Sequence, residues 1–446
     1  MGASVQQAAT RGFSREAVEE LSARRQEPDW VRERRIAAWE TFEAIPMPSR
    51  TDEEWRRTDI RRLPINDVAP FAGFDTVVAM PDDLPPEIQA ALGEPEARSG
   101  LLVQIDASIA YRQLRDDLVS QGVIFTDLGT AIAEYPDLVR DAFMTKGVPV
   151  NDNKFAALNG AFWTGGMFVY VPRDVQVETP LHTVVAARTP GAGIFPHTIV
   201  VAEPGASVVV VETHTSPTTD APIIASGVVE VIANEASQVR YIQLQDWGRN
   251  VWNFTTQRAV VDQDATVNTL NVALGSRLSR AMIASDLVGA GSTAEMLGLY
   301  FADDRQHLDH QTRQIHVSPY ATSDLLFKGA LKDHARTVFS GLIKVYEGAQ
   351  RTDAYQANRN LVLSRTARAD TLPNLEIGAN DVRCTHGATV GQVDEEYIFY
   401  LMSRGINRTE AIKLIVDGFF DEVIERVPVP EVQAEVRAAI ARKIGL

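Results

Sequence analysis

Residues 204–208 read PGASV, 234–239 NEASQV, 263–267 QDATV and 291–296 GSTAEM. Each segment sets an alanine in a short polar turn. Ala206, Ala236, Ala265 and Ala294 recur at steps of 30, 29 and 29 residues. A fixed period of roughly 20–50 residues is the mark of stacked structural repeats. Each unit reads as polar turn, apolar strand, second turn, strand. A single strand cannot bury its own face, so such units must stack. The pattern predicts a solenoid of parallel strands, a β-helix, with alanine keeping each corner narrow. Spacing alone leaves a β-sandwich open, because it too gives short strands and frequent turns.

This pattern extends from about Phe162 to Gly391 and divides the chain into three parts: residues 1–160, 161–391 and 392–446. The first reads as helical and mixed. Ile36, Trp39, Phe42 and Ile45 mark an amphipathic helix ended by Pro46 and Pro48. Leu101–Ile105 and Val123–Phe125 read as short strands. Within the central part, the turns at Lys332–Phe339, Glu347–Gln350 and Arg368–Asp370 are more closely spaced, which predicts a less regular end. From Asp394 the period changes. Asp394 caps a helix through Tyr397, Tyr400 and Leu401, and Asn407 opens the next. Ile412, Ile415, Val416, Phe419, Phe420 and Val423 form one apolar stripe, expected to face neighbouring helices. Val432, Val436, Ile440 and Ile444 mark a last helix.

The chain has 446 residues, 43 Lys and Arg against 59 Asp and Glu, and a formal charge of −16. That balance disfavours nucleic acid and anionic membrane surfaces as partners. The two helices joined at Arg404–Asn407 therefore do not read as a DNA-binding pair. One cysteine excludes an intrachain disulfide framework and suits a reducing compartment. The first residues carry no long apolar run, and Met1-Gly2 is followed at position six by Gln6, which does not suit myristoylation. No run is long and apolar enough for a membrane span, so the expected location is the cytoplasm. No phosphate-binding G-x-x-x-x-G-K-[ST] loop is present, so any ATP hydrolysis belongs to another subunit.

The single cysteine, Cys384, stands two positions from His386 in DVRCTHGATVG, residues 381–391. On a strand, positions i and i+2 share a face. A thiol and an imidazole converging there make half of a four-coordinate metal site, although a lone Cys and a lone His more often fill structural roles. His307 and His310 fall on opposite faces of a strand, which makes a poor metal clamp, and with His316 and His334 they read as structural. Asp303, Asp304 and Arg305, or Asp309 with Arg313, offer an alternative reading: a stand-alone β-helix enzyme acting on a glycan or polyanionic substrate.

The same run, continued by DEEYIFYLMSRGINRTEAIKLIVDGFF at 394–420, resembles the C-terminal signature of the SufB/SufD family of iron–sulfur cluster assembly proteins. The resemblance extends through FSGLIKVYEGAQRTDAYQANRNLVLS at 339–364, LPNLEI at 372–377 and EPDWVRERRIAAWETFEAIPMPSRTDEEWRRTDI at 27–60. It implies a right-handed parallel β-helix core flanked by N-terminal and C-terminal helical domains. It also implies a non-catalytic scaffold that pairs with a second β-helix chain and with the ATPase SufC. Within the family the chain is most like SufD. Gly387 stands where SufB-type chains carry Glu, and LVLSRTARADTLP at 361–373 lacks the SufB scaffold cysteine. The resemblance makes His386, with Cys384 beside it, a ligand of a transient iron–sulfur cluster at the interface with SufB. It makes the C-terminal helices the SufC docking surface, with Arg404, Gly405, Ile406 and Asn407 as contacts, and their removal is expected to leave the β-helix folded. The resemblance allows reduced flavin at the level of the complex, and it leaves homodimer and monomer both open for the isolated chain.

Overall fold

The computed structural model describes residues 12–74 and 76–445. Met1, Gly2 and Gln6 lie outside the described residues. From Met167 to Gln392 the backbone winds into a parallel solenoid of two sheets. One sheet stacks Gln176–Ala186, Ser207–Thr215, Gln238–Asp246, Thr266–Ala273, Thr293–Ala302, Thr322–Leu331, Asp353–Val362 and Arg383–Gln392. The other stacks Met167–Val171, His197–Ala202, Ile223–Ala233, Val251–Val261, Leu278–Leu287, His307–His316, Arg336–Val345 and Arg368–Ile377.

Ser207 pairs with Gln238, then Thr266, Thr293, Thr322, Asp353 and Arg383, at steps of 31, 28, 27, 29, 31 and 30 residues. The winding therefore stays regular to its end, against the sequence expectation. The turns at Lys332 and Glu347 belong to opposite corners of the same winding, and their closer spacing is a fraction of a rung.

The corner ladder also differs from the alanine pattern. The residues just before the paired strand starts are Ala206, Ser237, Ala265, Ser292, Ala321 and Thr352, all buried. Ala236 is exposed at a positive φ of 56° one residue earlier. Ala294 lies inside its strand, paired with Val267. The corner selects small size, and two of its three hydroxyls bond back to their own turn, while Ser237 Oγ has no partner among the described residues. Ser292 Oγ donates to the Gly289 carbonyl at 2.7 Å and Thr352 Oγ1 to the Ala349 carbonyl at 2.9 Å.

The interior fills with Val208, Val210, Val229, Val231 and Tyr241 near the N-terminal end, and with Met296, Tyr300, Leu325, Phe327 and Phe339 further along. The large rings need space from the neighbouring rung. Gly298 pairs with Phe327 and Tyr300 with Gly329. A Cβ on Gly329 would lie 1.9 Å from Tyr300 Cε2.

The two ends of the stack are finished differently. At the N-terminal end, Gly100–Ile105 extends the first sheet in parallel and Ser108–Leu114 closes it antiparallel. Ile124–Asp127 closes the second sheet, antiparallel to Met167–Val171. Helices Asp29–Ala44 and Lys154–Phe162 pack over the second sheet, joining Trp39, Phe42 and Phe155 to Trp252 and Phe254. Buried Glu230 fixes the preceding loop by accepting from the backbone N–H groups of Met144 (2.7 Å) and Val148 (2.9 Å), while His197 Nε2 lies 3.0 Å away.

On the outer face of the first sheet lie helices Arg408–Ile424 and Pro430–Ile444. Val416, Phe420, Val423, Val432, Val436 and Ile440 form one core with Ile242, Leu270, Leu299 and Leu326. The stripe expected to face neighbouring helices packs on the last helix and also on the sheet. Each side chain of this size contributes about 1.5–3 kcal/mol when fully buried, so these helices are part of the core and not a detachable module.

Gly329→Ala forces a methyl into the Tyr300 ring. It is expected to cost about 1–3 kcal/mol, read as a lower denaturation midpoint in urea, while alanine at exposed Gly348, where a Cβ meets nothing within 4 Å, leaves the midpoint nearly unchanged. Equal midpoints for the two variants would contradict the interior packing.

Candidate functional site

The last rung, Arg368–Ile377 and Arg383–Gln392, carries no further strand among the described residues. Most of Arg383–Gln392 is exposed, whereas Asp353–Val362, one rung inward, is largely buried. The outer edge of Arg383–Gln392 therefore presents backbone N–H and C=O groups to solvent, an open template for pairing.

Cys384 and His386 lie on this strand, paired with Ala354 and Gln356. Ala354 is in the interior cluster with Ile343, Val345 and Ala379, against which Cys384 packs. Cys384 and His386 thus share the face that points along the solenoid interior, as their spacing predicts. Cys384 is half-buried and His386 is exposed. One rung inward, Gln356 is fully buried, and its Oε1 has no hydrogen-bond partner among the described residues.

Burial raises the Cys384 pKa, and the negative charge of Asp353 raises it further. The resting group is accordingly a thiol. It must lose a proton before it can hold a metal, so ligation at Cys384 is coupled to pH. Among the described residues no group of three or more His, Cys, Asp and Glu side chains gathers to hold a metal ion.

The other candidates separate. His307 and His310 point to opposite faces. His310 lies in the interior, stacked on Tyr300 with ring centroids 4.6 Å apart, and burial drives its pKa down to about 4. His316 bonds Ser323 Oγ at 2.8 Å, also buried and also lowered to about 4. His334 is exposed in a turn. Asp309 does not meet Arg313. It is buried against Arg280 and Thr58, while Arg313 pairs with Glu54 at 3.0 Å. Asp303 is held by Arg249 and Lys443. These neutralised acids form no acid–base pair along a groove, so the geometry lends no support to glycan chemistry.

Arg404, Gly405 and Asn407 are exposed and Ile406 is partly so. Gly405 takes φ 89°, and Asn407 caps the following helix through the Glu410 N–H at 2.9 Å. Beside this turn the helix Glu395–Ser403 exposes Tyr397, Phe399, Tyr400 and Met402, with Phe399 at 74%. Sequence reasoning missed this patch. Its signal was the run YIFYLM, too apolar to leave one polar side, of which only Ile398 is buried. Glu395 and Arg408 pin the helix to its successor through bonds of 2.8 and 2.9 Å.

Residues 184–419 match the family described as SUF system FeS cluster assembly, SufBD core domain, and residues 86–183 match the SufBD protein N-terminal region. The chain belongs to the SufB/SufD family of iron–sulfur cluster assembly proteins. It is 33% identical to the iron–sulfur cluster assembly protein SufB of Bacillus subtilis, over 94% of this chain and 90% of that protein. It is 32% identical, with the same coverage, to SufBD family proteins of Staphylococcus saprophyticus and Staphylococcus epidermidis. The family boundary at 183/184 falls inside the strand Gln176–Ala186. The N-terminal region and the solenoid thus share a sheet. No helix among the described residues is long and apolar enough to cross a membrane.

Alkylation of Cys384 by iodoacetamide should rise with pH through a midpoint above that of the same chain in denaturant, because a raised pKa leaves less thiolate at any given pH. Asp353→Asn should move the midpoint down. A folded midpoint at or below the denatured one would contradict the environment described for this thiol.

Proposed function

We infer that this SufB/SufD family chain is a SufD-type, non-catalytic subunit of an assembly complex in the reducing cytoplasm. In this reading its last rung meets the β-helix of a SufB partner, and SufC supplies the ATPase. The observation that carries the reading is the bare edge of Arg383–Gln392 with His386 and Cys384 beside it. A strand from the partner added to that edge would satisfy the free backbone groups, with specificity left to side chains. It would also bring further ligands to the Cys384–His386 face. The nascent cluster is cargo at that junction: an imidazole and a thiolate hold iron from this side, and the partner completes the set.

The SufD assignment rests on Gly387 and on the cysteine-free stretch 361–373. Without that thiol the chain alone is a weak scaffold. The same open edge supports a homodimer when the chain is isolated. Reduced flavin, allowed at the level of the complex, is assigned to no residue here.

SufC docking is proposed for the exposed aromatic helix together with Arg404, Gly405, Ile406 and Asn407. Because the following helices share the solenoid's core, truncation after Val393 would uncover apolar sheet and is not a clean test. Paired substitutions Tyr397→Asp and Phe399→Asp change only exposed rings. They are expected to abolish capture of SufC in a pull-down at an unchanged melting temperature. Undiminished capture would remove this helix from the docking surface.

For the cluster, the SufB–SufC–SufD complex carrying His386→Ala should assemble normally yet hold less cluster after anaerobic reconstitution with iron and sulfide, read by absorbance. Cys384→Ala should have a smaller effect. Normal cluster yield from the His386→Ala complex would refute the ligand assignment, and failure of that complex to assemble would make the residue structural.

A further inference from the structure

At the corner where the first sheet passes to the second, Arg305, Gln306, His307, His334 and Arg336 line an open cleft of about 340 Å³. No acid is among these lining residues, in a chain whose acids outnumber its bases by 59 to 43. The arrangement follows from the winding. His307 pairs with Arg336 on adjacent strands of the second sheet. Arg305 and His334 follow Asp304 and Asp333, which take φ 49° and 57° in two equivalent turns. Those turns are tied together: the Asp304 N–H donates to Asp333 Oδ2 at 3.1 Å, and the His334 N–H to the Asp304 carbonyl at 2.8 Å. The result is a two-by-two grid of guanidinium and imidazole groups on rungs about 4.8 Å apart.

The floor is tied to its neighbours by hydrogen bonds. Gln306 is buried, with Nε2 donating to the carbonyls of Leu274, Gly275 and Ser276, and Oε1 accepting from Lys443 Nζ at 2.7 Å. Thr58 Oγ1 lies 2.9 Å from His307 Nε2. The segment around Thr58 carries exposed Arg56, Arg57, Arg61 and Arg62 together with exposed Glu53, Glu54 and Asp59, of which Asp59 pairs with Arg61 and Glu54 with Arg313.

Asp309 is engaged by Arg280, Asp303 by Lys443 and Asp370 by Arg368, while the exposed Asp304 carboxylate next to Arg305 has no partner among the described residues. Asp333 accepts the turn N–H just described. The side chains of Arg305 and Arg336 have neither a carboxylate nor a hydrogen-bond partner among the described residues. Two unpaired guanidiniums and the exposed His334 imidazole line a concave site in which His307 Nε2 is already held by Thr58, and planar guanidinium forks match phosphate oxygens.

We propose that this corner binds the diphosphate group of a small ligand. The cleft is at the small end of ligand pockets, about 300–1,000 Å³, which suits a diphosphate with part of its attached group. The chain's net charge of −16 opposes a polymeric phosphate. This site is on a different corner from the Cys384–His386 face and stands whether or not that face holds cluster.

The test is isothermal titration of the full chain with inorganic pyrophosphate, with ADP and with sulfate. Saturable binding of pyrophosphate or ADP, tighter than sulfate, is expected. The stronger of the two ligands tells a free diphosphate from a nucleotide. The double variant Arg305→Gln with Arg336→Gln should weaken binding by about tenfold or more, the scale of lost charge-assisted hydrogen bonds. Its melting temperature without ligand should match the parent, since both side chains are exposed. Arg351→Gln, whose guanidinium pairs with Asp381 at 2.6 Å elsewhere, should bind as the parent does. Absence of saturable binding, a double variant within about twofold of the parent, or sulfate bound as tightly as pyrophosphate would overturn the proposal. So would tighter binding of a short single-stranded RNA than of either diphosphate.

Discussion

Every strand of the solenoid takes its backbone partners from the rung before and the rung after. In-register parallel pairing is thus the interaction on which the rest of the molecule depends. It stacks corner on corner and column on column, so that one small residue per rung makes a continuous buried ladder from Ala206 to Thr352. It also makes the interior a matter of neighbours. Tyr300 fits because Gly329 leaves room on the adjacent strand, and Phe327 fits because Gly298 does. A stack of this kind always has two ends, and each end exposes a row of unpaired groups.

The chain resolves the first end within itself. Antiparallel strands Ser108–Leu114 and Ile124–Asp127 close both sheets, and the Glu230 carboxylate ties the covering loop to the second sheet. Among the described residues the second end has no such cover. The C-terminal helices, which could have capped it, turn back along the outer face of the first sheet and bury Phe420, Val423 and Val436 there. Closure at one end and openness at the other give the molecule a direction, and the one cysteine and its neighbouring histidine lie at the open end.

Much of this was legible in the sequence, for identifiable reasons. A period near 29 residues points to stacked strands, and the family resemblance decides between a solenoid and a sandwich. A spacing of two forces Cys384 and His386 onto one face. The C-terminal caps Asp394 and Asn407 are local devices and read correctly. What failed depended on distant contacts. Periodicity showed that Ile412–Val423 has an apolar face but could not show that a sheet covers it. Composition could not distinguish exposed Ala236 from buried Ser237, because both are small and the corner is one residue wide. Nor could it show Tyr397 and Phe399 facing solvent, since burial is the usual fate of such rings. The Glu230 contacts join residues more than eighty positions apart, and no local pattern announces them.

The open end has a further consequence for local stability. In a linear stack the strength of a unit is set by its nearest neighbours, and the last rung has one where the others have two. Its amide protons should therefore exchange fastest of the solenoid's strands, and openings should start there and move inward. Cys384 and His386 thus sit on the segment of the fold that gains most order from contact with another chain. Association and the fixing of ligand geometry become one coupled event, so that the free subunit holds these groups loosely and the assembled one holds them firmly.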